Sequence, residues 1–139
     1  YKEPETRKLT YKFEDLEVWI HARSICQSIR ELTTKGDFAK DFGLKDQIQR
    51  SSGSVMDNIA EGYDRDGTRE FIQFLYIAKG SLAETRSQLH RSFDFGYINE
   101  QQFTELYQQC NLLSTKIKNF ISYLSTSGIA GSKKKPKPQ

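Results

Sequence analysis

The sequence predicts an all-α fold, an antiparallel up-down-up-down four-helix bundle formed by residues 13–126. All three prolines, Pro4, Pro136 and Pro138, lie outside that range, so no proline ring interrupts a helix within it. Apolar residues recur there at steps of three and four through four segments, which is the period of an amphipathic helix. The links between these segments are short, and short links favour antiparallel neighbours.

The first helix is predicted over residues 13–33, and the third from an N-cap at Thr68 to about Phe95. Both carry apolar residues over a face wider than one internal seam requires, with Ile20 and Tyr76 among the additional ones. An apolar surface of that width is typical of contacts between subunits, so the sequence predicts a homo-oligomer. A thicker core within a single subunit is the alternative.

The second helix is predicted over residues 44–61. Gly62 is expected to end it in the left-handed conformation that glycine adopts readily. Gly53 lies inside the helix, where glycine costs about 1 kcal/mol relative to alanine. We therefore expect another helix to approach closely at Gly53.

The fourth helix has the clearest predicted start. Asn99 is a favourable N-cap, and Gln102 stands three residues later, as in a capping box. The apolar residues that follow alternate between steps of three and four, as in the seam of a helical bundle. They are Phe103, Leu106, Cys110, Leu113, Ile117, Phe120 and Leu124.

The charge is distributed unevenly along a chain whose formal net charge is +3. Residues 1–12 form a polar, basic lead-in, and residues 127–139 are predicted to be a disordered basic tail. The body between them carries slightly more acidic than basic residues, which argues against a uniformly basic nucleic-acid-binding domain. Neither a signal-type segment nor an apolar run near 18 residues occurs, which predicts a cytoplasmic protein without membrane spans.

No combination of residues in the sequence is typical of a catalytic, metal or cofactor site. His21 and His90 have no Cys or His partner at ligand spacing. Cys26 and Cys110 are expected to be buried free thiols, with one disulfide as the alternative. A glycine-rich phosphate loop and a nucleophile with a partner base are both absent from the sequence. We therefore predict a protein that is not an enzyme and uses neither a metal nor a cofactor.

A polar stripe follows the second predicted helix beside its apolar stripe. It is formed by Gln47, Ser51, Ser54, Asn58 and Glu61. The small serines favour a close neighbouring helix, and a solvated face is the alternative. Charged groups that are buried must be paired, since an unpaired buried charge is very costly. We therefore predict a structural polar network formed by Gln47, Arg50, Asn58 and Glu61.

Several motifs along the chain resemble those of one known family. The most distinctive is Ser54-Val55, then Asn58-Ile59-Ala60-Glu61-Gly62, with Arg65. Further matching segments are Phe13-Glu14-Asp15-Leu16-Glu17-Val18-Trp19, Gly43-Leu44 with Gln47 and Arg50, Glu70-Phe71, Phe74-Leu75, Gly80-Ser81 and Gly96-Tyr97-Ile98. Together they resemble the four-helix-bundle proteins encoded in 23S ribosomal RNA intervening sequences, a group often labelled a ribosomal protein family.

The resemblance implies a left-handed four-helix bundle that assembles into a ring, usually a homopentamer, and that has no established enzymatic activity. Bundles related to this family include the accessory proteins of diversity-generating retroelements, which bind nucleic acid and a reverse transcriptase. The chain departs from the family pattern at Ser51 and Ser52, where small apolar residues are frequent. It departs again at Met56 and Asp57, which replace a pair containing proline. We expect these changes to alter local packing and to leave the fold intact.

The resemblance and the basic ends together lead us to expect a non-catalytic, oligomeric bundle that binds ribosomal or other structured RNA. The alternative is a protein-interaction scaffold that recruits another protein without contacting nucleic acid. For the cations of the third helix, an exposed solvated face is a further alternative. The residues expected to bind RNA are Arg50, Arg65, Lys79, Arg86 and the tail lysines Lys133, Lys134, Lys135 and Lys137.

Overall fold

The computed structural model describes residues 12–127, and within them the predicted all-α fold is confirmed. The lead-in and the basic tail, apart from Lys12 and Ser127, lie outside the described residues. Short 3-10 turns at Phe13–Asp15 and Gly36–Lys40 accompany the long helices, and no strand occurs in the described part of the chain. The four helices are α1 (Glu17–Thr33), α2 (Phe42–Tyr63), α3 (Thr68–Asp94) and α4 (Glu100–Thr126).

Each helix packs antiparallel to the next, and α4 closes the bundle against α1. Ser51 near the middle of α2 contacts Thr85 of α3, and Phe71 near the start of α3 meets Phe120 near the end of α4. Glu17, the first residue of α1, pairs with Lys116 in the second half of α4. The core that these helices enclose is mainly apolar. Its largest fully buried side chains are Phe38, Phe120, Leu16, Ile29, Ile48, Ile59, Leu75, Leu82, Leu89, Leu113, Ile117 and Leu124.

The first helix begins at Glu17, four residues later than the sequence predicts. Phe13–Asp15 forms a 3-10 turn, and Leu16 is extended with φ −75° and ψ 130°. The extended backbone carries the Leu16 side chain into the core, where it is fully buried. The Phe13 ring packs edge-on against Trp19 at 5.2 Å. Burial of an apolar side chain therefore outweighs continuation of the helix at this point.

The predictions for the two glycines of the second helix are wrong, and the structure exchanges their roles. Gly62 does not have a positive φ, and α2 continues through it to Tyr63. A Cβ atom at Gly62 would lie 2.5 Å from Phe74 Cβ, so this glycine permits the close approach of α2 and α3. A Cβ atom at Gly53 would meet nothing within 4 Å. The close approach therefore lies at the end of α2 and not at its middle.

The helix starts agree with the prediction in α4 and differ from it in α3. Asn99 Oδ1 accepts from the Gln102 N–H at 2.8 Å, and Gln102 Oε1 accepts from the Asn99 N–H at 2.9 Å, which completes the predicted capping box. The N-cap of α3 is Gly67, and Thr68 is the first helical residue. The Thr68 side chain is buried, and its hydroxyl has no hydrogen-bond partner among the described residues. Burial of the Thr68 side chain, and not an N-cap hydrogen bond, therefore determines the position of this residue.

The different surroundings of the two α2 glycines predict opposite effects of adding a methyl group. Gly53→Ala should raise the free energy of unfolding by about 0.5–1 kcal/mol, because it restricts the unfolded chain without a steric cost. Gly62→Ala should lower it by about 1–3 kcal/mol, because the new atom overlaps Phe74. Urea denaturation of both variants at one protein concentration measures the difference. Equal effects of the two substitutions would contradict this assignment of the close approach.

Candidate functional site

The polar stripe of α2 faces α3, where it meets a second set of hydroxyl and amide groups. Ser51 Oγ lies 2.8 Å from Thr85 Oγ1 and donates to Gln88 Oε1 at 2.6 Å. Ser51 and Thr85 are both buried. A buried hydroxyl without a hydrogen bond lowers stability, so these contacts permit two polar surfaces to pack directly together.

The same seam continues one turn further along α2. Ser54 Oγ lies 2.9 Å from Ser81 Oγ. The Asn58 amide donates to the carbonyl oxygen of Ser54 at 2.8 Å and to Ser54 Oγ at 2.9 Å. Gln47, at the other end of the stripe, accepts a hydrogen bond from Arg91. The Ser51 and Ser54 part of the stripe is thus an interhelical seam, whereas Gln47 and Glu61 at its two ends are exposed.

The predicted pairing of Arg50 with Asn58 or Glu61 is not present. Arg50 Nε instead bonds Asp46 Oδ2 at 2.8 Å, and its side chain is 79% exposed. Glu61 Oε2 accepts from Arg65 at 2.8 Å. Each of these ion pairs joins residues one helical turn apart, which is the shortest route to a partner on a helix. The charged groups of the predicted network therefore lie outside the seam, which contains neutral groups.

Among the cations predicted to bind RNA, the structure separates two kinds. Arg50 and Arg65 are held in ion pairs, and the Arg65 guanidinium also lies 4.9 Å from the centre of the Phe74 ring. Lys79 and Arg86 are half-buried on α3, and neither has an ion-pair partner among residues 12–127. The tail lysines lie outside the described residues. Among the predicted RNA-binding cations that the structure describes, Lys79 and Arg86 are therefore the two that no described carboxylate holds.

An aromatic cluster that the sequence analysis does not identify lies where the end of α3 meets the start of α4. It consists of His90, Phe93, Phe103 and Tyr107. The Phe103 ring is central, with its centroid 4.9 Å from His90, 5.4 Å from Phe93 and 5.1 Å from Tyr107. Phe103 and Tyr107 are stacked with an angle of 24° between their planes. The signal for this cluster is the antiparallel turn itself, which brings both pairs of rings to one end of the bundle.

Arg86 lies on the same side of α3 as His90 and close to α4. Burial raises the pKa of the Cys110 thiol of α4 to about 12, and the nearby Arg86 charge opposes that shift. Cys110 therefore stays protonated and unreactive near neutral pH. Both cysteines are free, as predicted, although Cys26 is only half-buried.

His21 joins α1 to α4 through a small polar group at the opposite edge of α4. Its Nε2 atom lies 2.8 Å from Gln109 Oε1, and Lys116 Nζ lies 3.3 Å from its Nδ1. An ammonium group can only donate, so Nδ1 accepts and Nε2 carries the proton that bonds Gln109. Lys116 also pairs with Glu17 at 2.9 Å. Within residues 12–127, no three His, Cys, Asp or Glu side chains are grouped so that they could hold a metal ion.

Comparison with known proteins supports the resemblance found in the motifs. A family model described as 23S rRNA-intervening sequence protein matches residues 14–119. The chain belongs to this family. Within the part of this intervening-sequence protein that the structure describes, none of the helices has the length and apolar character that crossing a membrane requires.

A solved structure with the same fold comes from a protein whose family has a related name. It is the crystal structure of a protein of unknown function from the S23 ribosomal protein family of Bacteroides thetaiotaomicron. Its TM-score is 0.69 at 22% sequence identity, and the match covers 75% of this chain and 97% of that chain. No curated protein matches this intervening-sequence protein.

The surroundings of His21 predict that acid weakens the contact between α1 and α4. Burial, followed by the Lys116 charge, lowers the pKa of His21 below its usual 6.5, while Gln109 and Glu17 act in the opposite direction. A proton on Nδ1 would face the Lys116 ammonium. Because the unfolded chain then binds more protons than the folded one, stability should decrease as the pH falls below about 6.5.

Urea denaturation between pH 8 and pH 5 measures this effect. His21→Gln is the matched control, because its amide keeps a polar group at the position and does not titrate. The wild-type protein should lose more stability than the variant on acidification. The same pH dependence in both proteins would contradict a role for His21.

Proposed function

We propose that this member of the 23S rRNA-intervening sequence protein family is a non-catalytic, oligomeric helical bundle that binds structured RNA in the cytoplasm, with ribosomal RNA as the first candidate. The observation that carries the proposal is the pair of half-buried cations on α3, Lys79 and Arg86, which lack an acidic partner among the described residues. Phosphate oxygens are the ligands that such cations bind on a nucleic acid.

The ion pairs also predict which of these cations contribute most to RNA affinity. A phosphate that binds Arg50 or Arg65 must compete with Asp46 or Glu61, each already bonded to its arginine at 2.8 Å. A phosphate that binds Lys79 or Arg86 competes with no carboxylate that pairs with them among the described residues. Lys79 and Arg86 should therefore contribute more to RNA affinity than Arg50 and Arg65, although all four carry the same charge.

Exposed apolar side chains on α1 and α3 support the oligomeric part of the proposal. Ile20 is 52% exposed, Tyr76 59% and Ile77 51%, whereas the other apolar positions of these helices mostly lie in the core. A neighbouring molecule that covered these side chains would remove their apolar area from water, which is favourable. By resemblance to the family, we propose that this neighbour is another copy of the chain in a closed ring, a pentamer being the expected size.

The non-catalytic part of the proposal rests on the groups best suited to chemistry. The Glu61 carboxylate is bonded to Arg65, and the Cys110 thiol has a pKa of about 12. Neither is prepared to act as a base or a nucleophile near neutral pH.

A protein-interaction scaffold remains the second candidate function. Phe42 at the start of α2 is 75% exposed, and Phe95 just after α3 is also exposed. Aromatic side chains of this kind are enriched where proteins bind other proteins. A stoichiometric protein partner that co-purifies without nucleic acid would favour this function over RNA binding.

RNA binding can be tested by anisotropy titrations of a ribosomal RNA fragment at several salt concentrations. The Lys79→Gln/Arg86→Gln double variant should bind about tenfold or more weakly, and its salt slope should fall by roughly 1.5, since two phosphate contacts are lost. The Arg50→Gln/Arg65→Gln double variant removes the same charge and should show a smaller loss.

A variant with all four tail lysines changed to glutamine measures the contribution of the tail. No binding of the wild-type protein at low salt would refute the RNA function. Binding that does not depend on salt would refute the phosphate mechanism.

Assembly can be tested by light scattering over a wide range of protein concentrations. The wild-type protein should have the mass of an oligomer, and Tyr76→Ser/Ile77→Ser should lower that mass because the exposed apolar surface of α3 is reduced. Phe42→Ser, at the start of α2, serves as the control and should leave the mass unchanged. A wild-type protein that is monomeric even at millimolar concentration would refute the assembly.

A further inference from the structure

We propose that the aromatic cluster of His90, Phe93, Phe103 and Tyr107 binds unpaired nucleobases by stacking, so that the preferred part of a structured RNA is a single-stranded segment such as a loop or bulge. This inference rests on the proposed RNA function and specifies the form of RNA that binds the α3–α4 groove, the surface formed by Lys79, Arg86 and the aromatic cluster. It follows from three features of the groove: the accessibility of its rings, the line of cations beside them, and the position of the nearest carboxylates.

The rings are held in place but remain accessible. Phe93 is 39% exposed and His90 is exposed, while Phe103 and Tyr107 are only half-buried. Their mutual contacts, at 4.9 to 5.4 Å between centroids, fix the rings relative to one another. A platform that is already ordered loses little conformational freedom when a base stacks on it. Base stacking on aromatic side chains contributes to binding for every type of base, since each has a π-face.

The cations continue the groove from the aromatic cluster along α3. Lys79, Arg86 and His90 are separated by seven and four residues, a spacing that places them on one side of the helix. At 1.5 Å per residue they extend over about 16 Å. A single strand lying in this groove would place phosphates at Arg86 and Lys79 and bases at the aromatic cluster. That combination of a basic groove with stacking rings is typical of single-strand binding sites.

The carboxylates near the cluster give the site a direction. Asp94 ends α3 beside Phe93, and Glu100 begins α4 three residues before Phe103. Their charge repels phosphate at the aromatic end of the groove and favours it at the Arg86 end. The backbone of the strand should therefore lie along α3, with its bases directed toward the end of the bundle.

The bases of an RNA duplex cannot stack on the aromatic cluster. In an A-form helix the bases are stacked on one another, and only those in loops, bulges or single strands are free to stack on a side chain. The groove should therefore distinguish single strands from duplexes, and it should do so through the rings and not through the cations.

The test uses three fluorescent ligands of equal length: an oligoadenylate containing 2-aminopurine, the same strand with abasic nucleotides, and an RNA duplex. The wild-type protein should bind the oligoadenylate about tenfold or more tightly than either of the others and should quench the 2-aminopurine on binding. The Phe93→Leu/Tyr107→Leu variant should lose that preference and the quenching while retaining its affinity for the duplex.

Two control variants separate the contribution of the rings to RNA binding from that of the cations. Tyr123→Leu removes an exposed tyrosine elsewhere on α4 and should bind like the wild-type protein. Lys79→Gln/Arg86→Gln should weaken binding of all three ligands. A far-ultraviolet circular dichroism spectrum and a melting curve for each variant show whether it folds, and His90→Gln, at an exposed position, provides a second test if the double variant does not.

The outcomes distinguish this inference from the function on which it rests. Equal affinity for the three ligands, unchanged in the Phe93→Leu/Tyr107→Leu variant, would overturn base stacking and leave RNA binding in place. Absence of binding to every ligand at low salt would overturn RNA binding itself.

Discussion

The close approach of α2 and α3 is the constraint on which the rest of the bundle depends. At Gly62 there is no room for a Cβ atom, because Phe74 Cβ would lie only 2.5 Å away. Along the middle of the contact, serines take the place of larger side chains, and their hydroxyls bond across the seam to Ser81 and Thr85. Short side chains make the approach sterically possible, and the hydrogen bonds remove the cost of burying polar atoms. The seam is thus neutral, and the charges of α2 remain at its edges.

This seam determines which side of α3 is available for other contacts. With its Ser81 and Thr85 side packed on α2, the helix presents Arg86 and His90 toward α4. The antiparallel turn then brings Phe103 and Tyr107 beside His90. The positions of the aromatic cluster and of Arg86 therefore follow from the packing of another side of the same helix against α2.

The helical periods were sufficient to predict the four helices, the capping box at Asn99 and the polar stripe on α2. They could not predict which side chains contact one another. The sequence pointed to Arg50 and Glu61 as members of a buried network, but the nearer Asp46 and Arg65 bind them at the surface. Likewise, the sequence predicted the close approach at Gly53, and only the crossing of the two helices shows that Gly62 is the glycine without room for a side chain. The aromatic cluster joins residues of two helices, so no periodicity within either helix reveals it.

The proposed assembly through Ile77 and the proposed RNA binding through Arg86 are compatible, because these two residues lie on opposite sides of α3. Ile77 and Arg86 are separated by about two and a half helical turns, which places their side chains on opposite faces. A neighbouring subunit that covers Ile77 would leave Arg86 and the α3–α4 groove open. In a closed ring, every subunit would then present one such groove, and several weak sites would act on the same RNA at once. Each added site raises the apparent affinity through effective concentration, so modest binding by one chain is compatible with firm binding by the ring.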